Sequence, residues 1–294
     1  MAGGRARHGD VEIAYEVEGP ENGVPLLLIM GLGLSMDFWP ESFRALLTEH
    51  GFRVARFDNR DVGASTHLTR LGMPSPLVWV SRRWSGYALA DMADDAAAVL
   101  DALGWDGAHV VGVSLGGMIA QALACRHPDR VRTLTSISST PASHIGRPHP
   151  RALPALAPWP VRDRDAAARR MVNIFRVIGS PAYPHDEEGI AEVARRNFDQ
   201  ARDPNGIRRQ LAAILSAEDR RPLLRDLRMP VLVLHGDRDL LVQPAGGRET
   251  ARVVPGAKLV VYSGMGHDLP AALQPDIAGE IAALARQESA PLTG

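Results

Sequence analysis

Ser114 stands at the centre of Gly112-Val113-Ser114-Leu115-Gly116, between the apolar run His109–Val113 and a helical pattern that begins at Gly117. A serine on a tight strand-to-helix turn presents its hydroxyl beyond the sheet edge, and flanking glycines keep side chains out of the crowded turn. The helix start leaves backbone N–H groups free to face an anion. The chemistry this pattern suggests is acyl transfer through a serine nucleophile. An unassisted hydroxyl is a poor nucleophile at neutral pH and needs a base. His267, in Gly264-Met265-Gly266-His267-Asp268, is the candidate base, because imidazole takes up and returns a proton near neutrality. Such a base needs a carboxylate on its far nitrogen to fix the tautomer. Asp239, in Gly236-Asp237-Arg238-Asp239, is the favoured orienter. Asp237 competes for the role and otherwise reads as a turn residue bonded to its own backbone. Asp268 adjoins the histidine and folds back onto the same ring only with difficulty. Two backbone donors are expected to hold the developing oxyanion: Leu115 N–H, directly after the nucleophile, and Leu32 N–H, in the loop after Leu26–Met30. Gly31-Leu32-Gly33 lacks the spacing of a nucleotide loop and any Walker lysine.

All four segments follow apolar runs, so the elements that position them must be strands. Val11–Val17 alternates like a half-buried antiparallel strand. Pro25–Met30, Phe52–Phe57, His109–Val113, Val131–Ser138, Pro230–Gly236 and Ala257–Tyr262 read as strands, the most continuously apolar of them covered on both faces. Gly86–Gly104 carries an apolar helical stripe. From about 141 to 227 prolines give way to helical stretches at 165–178, 190–201 and 207–217, with no buried-strand run among them. Strand–helix alternation then resumes and ends in a helix at 277–285. This order predicts an α/β fold with right-handed crossovers and a mostly parallel sheet. It divides the chain into a core of residues 1–140 and 228–294 and a helical insertion at 141–227. Ligands of such sheets bind beyond the carboxyl ends of the strands, where the four segments lie.

The 294 residues are 45% hydrophobic and 23% charged, with a net charge of −1 and a pI near 6.8. That balance favours neither nucleic acid nor an anionic membrane as partner. The single cysteine, Cys125, excludes an intramolecular disulfide and a cysteine-based zinc site. It reads as a small buried hydrophobe. The N-terminus lacks the apolar stretch of a signal peptide and no run is long enough to span a membrane, so a cytoplasmic location is expected. Histidines 8, 50, 67, 109, 127, 144, 149, 185 and 235 read as surface or structural residues.

With these residues in place the chain resembles the α/β-hydrolase superfamily. The resemblance rests on Gly112–Gly116, on Phe57-Asp58-Asn59-Arg60-Asp61-Val62-Gly63-Ala64-Ser65, on His235-Gly236-Asp237-Arg238-Asp239, on Gly266-His267 and on the order Ser, Asp, His. It implies an eight-stranded sheet, with Ser114 as nucleophile, Asp239 as acid and His267 as base. It also implies Leu32 and Leu115 as oxyanion donors and residues 141–227 as a cap, with no metal or cofactor. Within the superfamily the chain looks most like the aclacinomycin methylesterase-type group, through Met30-Gly31. One departure is Asp61, where many relatives have glycine; it is expected to alter the turn near the site entrance. The expected reaction is hydrolysis of an apolar small-molecule carboxylic ester through an acyl-enzyme. Carbon–carbon or amide hydrolysis, or cofactor-free perhydrolysis, would use the same triad. A hydrolase fold kept as a binding module is a further reading, which the intact set of three disfavours. A dehalogenase or epoxide hydrolase would need a carboxylate at position 114. Met36, Phe38 and Trp39, with Trp159, Met171 and Phe175, either line the pocket or anchor helices.

Overall fold

A computed structural model describes residues 2–81, 83, 86–157, 161–200 and 203–288. Trp159 lies outside them. In chain order the strands are β1 (Ala2–His8), β2 (Val11–Glu18), β3 (Val24–Ile29), β4 (Phe52–Phe57), β5 (Ala108–Val113), β6 (Val131–Ile137), β7 (Val231–Gly236) and β8 (Lys258–Tyr262). The helices before β6 are α1 (Glu41–Glu49), α2 (Val78–Ser81), α3 (Leu89–Ala102) and α4 (Leu115–Arg126). Between β6 and β7 come α5 (Leu153–Leu156), α6 (Arg164–Ile178), α7 (Glu187–Gln200), α8 (Gly206–Leu215) and α9 (Arg221–Leu224). The last two are α10 (Ala245–Val253) and α11 (Gln274–Glu288).

The eight strands form one sheet in the order β1-β2-β4-β3-β5-β6-β7-β8. β2 runs antiparallel to both neighbours, and every pairing from β4 to β8 is parallel. Alternate residues of the central strands feed opposite cores. Leu27 and Ile29 join Met92, Leu100, Ile119 and Leu123 of α3 and α4 on one face. Leu26 and Leu28 join Phe43, Leu47, Ile277 and Ile281 of α1 and α11 on the other. The central strands are therefore apolar on both sides, as their sequence demanded. Burying each such side chain contributes about 2 kcal/mol. β1 was not legible: Ala2-Gly-Gly-Arg-Ala-Arg-His8 has no apolar run. It forms because a two-residue turn, Gly9-Asp10, returns it onto β2 with His8 opposite Val11. Cys125 packs against the first core, and burial pushes its thiol up to about 11.

Among the helices between β6 and β7, α8 is fastened to the loop after β4 by a buried charge network. Asp61 sits at φ 70, a conformation that suits glycine and, among other residues, chiefly asparagine and aspartate. Its carboxylate takes a bidentate pair from Arg209 of α8, at 2.8 and 2.6 Å. Tyr87 Oη donates to it at 2.9 Å and Leu68 N–H at 2.7 Å. Arg209 also reaches Asp203 at 2.7 Å. Both side chains of the central pair are fully buried. The departure at position 61 therefore anchors α8, where the sequence suggested a change of turn alone. Removing the Asp61 charge leaves the buried Arg209 with Asp203 alone, and breaking a buried pair costs about 3 kcal/mol or more. Asp61→Asn keeps the shape and the backbone tolerance. It is expected to lower the unfolding free energy by that amount, read in urea as a fall in the midpoint at unchanged m value; a loss below about 1 kcal/mol would show that the pair only offsets its own desolvation.

Candidate active site

Ser114 follows β5 directly and caps the N-terminus of α4 at φ 57, ψ −120. A side chain in that region costs on the order of 1–3 kcal/mol, and persists only where surroundings over-determine it. Here Ser114 N–H donates to Ile137 O at 2.9 Å. Its carbonyl accepts from Met118 N–H at 3.2 Å and from Ser139 Oγ at 2.7 Å. The two glycines are steric necessities. A Cβ on Gly112 would stand 2.1 Å from Gly116 O, and one on Gly116 would stand 2.0 Å from Ile29 O. The loop after β3 passes against the elbow, since a Cβ on Gly31 would lie 3.3 Å from Ser114 Cβ.

β7 and β8 deliver the other two groups. His267 Nδ1 lies 2.7 Å from Asp239 Oδ2, both buried. Asp239 Oδ1 accepts from the N–H groups of Leu241 and Val242, each at 2.9 Å. His235 Nε2 bonds Val242 O at 2.8 Å and stands 3.5 Å from Asp239 Oδ2. Burial alone would push the Asp239 carboxyl up. The charge of His267, with hydrogen bonds from His235 and His267, outweighs it and holds the group at about 2. The carboxylate is thus ionised throughout the neutral range. Its stabilising contribution is present above the ordinary value of 3.8 and is lost as pH falls toward 2.

The competing aspartates have other partners. Asp237 Oδ1 accepts from Gly264 N–H at 2.7 Å, so it ties the β7 turn to the His267 loop; a bond to its own backbone was the expectation. Asp268 accepts from Ser180 Oγ, and burial raises its carboxyl. Ser180 Oγ accepts from Gly266 N–H at 2.8 Å, and His267 N–H donates to Ile178 O at 2.7 Å. The last residue of α6 and those just after it therefore hold the loop that carries His267. No local pattern in Ile178-Gly179-Ser180 announces this.

Ser114 and His267 line one cavity of about 1110 Å³, with Leu32 on its wall. Its surface is largely apolar, with Leu34, Phe38, Met171, Ile174, Phe175 and Ile190 among the lining residues. Phe38, Met171 and Phe175 thus resolve as pocket residues. Trp39 does both: it borders the cavity and stacks on Phe43 at 5.8 Å. Met36 is buried and stands outside the cavity wall. His67 and His185, read as surface or structural from sequence, also border the cavity. At the elbow, Leu115 is the first residue of α4, so its N–H has no acceptor within the helix. Near the other proposed donor, Gly33 N–H is taken by Gln210 Oε1 at 2.8 Å and Leu34 N–H by Gly31 O at 3.4 Å. A hydroxyl and an imidazole on one apolar cavity, with a buried carboxylate behind the imidazole and a helix start directly after the hydroxyl, can support nucleophilic attack on a carbonyl.

A sequence profile described as the alpha/beta hydrolase fold matches residues 24–270. A rhodomycin D methylesterase of Streptomyces sp. (strain C5) is 30% identical over 94% of this chain and 96% of its own. A bifunctional esterase/perhydrolase of Acinetobacter calcoaceticus is 29% identical over 88% and 91%. Among solved structures, an enol-lactonase from Burkholderia xenovorans LB400 is similar at a TM-score of 0.71 and 25% identity, covering 97% of this chain and 99% of that one. Among the described residues no helix is long and apolar enough to cross a membrane. The profile spans most of the chain, which folds as one mostly parallel sheet with helices on both faces, so this chain belongs to the α/β-hydrolase fold family.

Proposed function

We propose that the protein is a serine hydrolase of carboxylic esters, with Ser114 as nucleophile, His267 as base and Asp239 as its orienter. The observation that carries this reading is that Ser114 and His267 line one cavity, with the buried Asp239 bonded behind His267. Ser114 Oγ attacks the ester carbonyl as His267 takes its proton. The N–H groups of Leu32 and Leu115 hold the resulting oxyanion. His267 then protonates the departing alcohol, leaving an acyl-enzyme. It next takes a proton from water, whose oxygen attacks the acyl carbon, and returns that proton to Ser114 as the acid leaves. No metal or cofactor takes part. Residues 141–227 act as the cap over the site, and the remainder as the catalytic core.

The cavity is slightly larger than most small-molecule sites, which span roughly 300–1,000 Å³. Its apolar wall suits a bulky, apolar ester of more than a few carbons. That relatives include a methylesterase and an esterase/perhydrolase supports ester chemistry. The test is release of p-nitrophenol from p-nitrophenyl esters of two to twelve carbons, beside the matching p-nitroanilides. Ester turnover rising with chain length, with anilide turnover at least about tenfold slower, is expected. Preference for the anilide would move the assignment to amide hydrolysis. Absence of turnover on every ester would overturn it.

A further inference from the structure

The loop after β3 is held in place by side chains from far along the chain. Residues 31–34 form a turn whose own bond, Leu34 N–H to Gly31 O, is long at 3.4 Å. Such a bond is weak, so the turn depends on outside partners. Gln210 of α8 supplies one, accepting from Gly33 N–H at 2.8 Å while its Nε2 donates to Arg60 O at 2.8 Å. Asn197 of α7 supplies two, donating to Gly33 O at 3.3 Å and accepting from Ser35 N–H at 3.2 Å. Below the turn, Asn59 Nδ2 donates to Met30 O at 2.9 Å, and Asp58 Oδ1 accepts from Met36 N–H at 2.7 Å. α8 also rests directly on the turn, since a Cβ at Gly33 would meet Ile207 Cγ1 at 2.5 Å. The partners from α7 and α8 hold the N–H and the C=O of Gly33, the residue after Leu32.

We propose that Gln210 and Asn197 are positioning residues: by fixing the Gly33 peptide from above, they set the aim of Leu32 N–H at the oxyanion. This rests on the ester-hydrolase reading with Leu32 as a donor. Two helices between β6 and β7 thereby set the rate of the chemical step as well as shaping the pocket. A donor aimed wrongly still leaves ground-state binding intact, because the oxyanion exists only in the transition state. Gln210 is fully buried and stands outside the cavity wall, so its effect does not pass through direct contact with substrate.

The test compares wild type with Gln210→Met, which keeps length and apolar bulk but accepts no N–H, and with Asn197→Ala. The readouts are kcat and KM on a p-nitrophenyl ester and inhibition by two ligands of matched shape. An alkyl trifluoromethyl ketone forms a tetrahedral oxyanion with a serine; the corresponding secondary alcohol does not. Gln210→Met is expected to lower kcat by about 10–100-fold, the scale of a misplaced catalytic group. Its Ki for the ketone should rise by the same factor, with KM and the alcohol Ki within about twofold. Asn197→Ala should show the same split more weakly, about 3–10-fold in kcat. If Gln210→Met does not fold, Asn197, which is half-buried and borders the cavity, carries the decision through its ketone-against-alcohol ratio, which contact with substrate alone would not move. Unchanged kcat in the folded variants, or equal weakening of ketone and alcohol, would overturn the proposal. Covalent labelling of wild-type Ser114 by diethyl p-nitrophenyl phosphate separates the two failures. A labelled serine with unaffected variants sinks the positioning role alone, and an unlabelled one sinks the serine reading beneath it.

Discussion

Ser114→Ala is expected to lower kcat on a p-nitrophenyl ester by about 10⁴–10⁶-fold and to leave the melting temperature nearly unchanged. The first half follows from the reaction, since no acyl-enzyme forms without Oγ. The second follows from how the residue is held. Its backbone N–H and C=O make the bonds that keep the elbow at φ 57, and alanine retains both. Alanine also carries a Cβ, so the steric cost of the positive φ stays as it was. The cavity and the proposed oxyanion amides remain, so KM should change little. Turnover within tenfold of wild type, in a preparation shown by mass spectrometry to be free of wild-type enzyme, would remove serine from the mechanism.

Asp239→Asn is the second large effect, a fall in kcat of about 10⁴-fold at pH 7. The surroundings decide which way the new amide faces. Leu241 and Val242 both present N–H groups to Oδ1, so the asparagine oxygen must take that side. Its NH₂ is then turned onto His267 Nδ1, where wild type has Oδ2 at 2.7 Å. An NH₂ donor selects the tautomer with a bare Nδ1 and a protonated Nε2. That tautomer presents a proton to Ser114 and cannot remove one. Retention of more than about a tenth of wild-type kcat would assign the orienting role elsewhere.

Much of this site is legible in the amino-acid sequence, for a physical reason. Strands such as Leu26–Ile29 are apolar because both faces are covered, and the elbow glycines are small because backbone lies about 2 Å from where their Cβ would be. Both constraints are local and leave a mark in local sequence. The parts that escaped are bonds between distant, ordinary side chains. Asn197 and Gln210 lie 164 and 177 residues from Gly33, and an amide on a helix has no pattern that says which peptide it will hold. Ser180 and His185 escaped for the same reason. Asp61 did leave a trace. An acid at a left-handed turn position that suits glycine implies a partner strong enough to keep it, although the sequence alone did not point to Arg209.

That pairing also has a timetable. Asp61 and Arg209 are 148 residues apart, and ribosomes add about 5–20 residues per second. The carboxylate therefore exists for roughly 7–30 s before its guanidinium is made. During that interval the emerging N-terminal half, Ser114 included, cannot seal the site where Asp61 is to be buried, because an unpaired charge resists leaving water. Nascent chains arrested with 140 residues outside the ribosome should be cut by protease near Asp61, and those arrested with all 294 outside should resist. Equal resistance at both lengths would show that the first half closes without its cation. On this reading the part of the chain that bears the nucleophile is finished by the part that follows it.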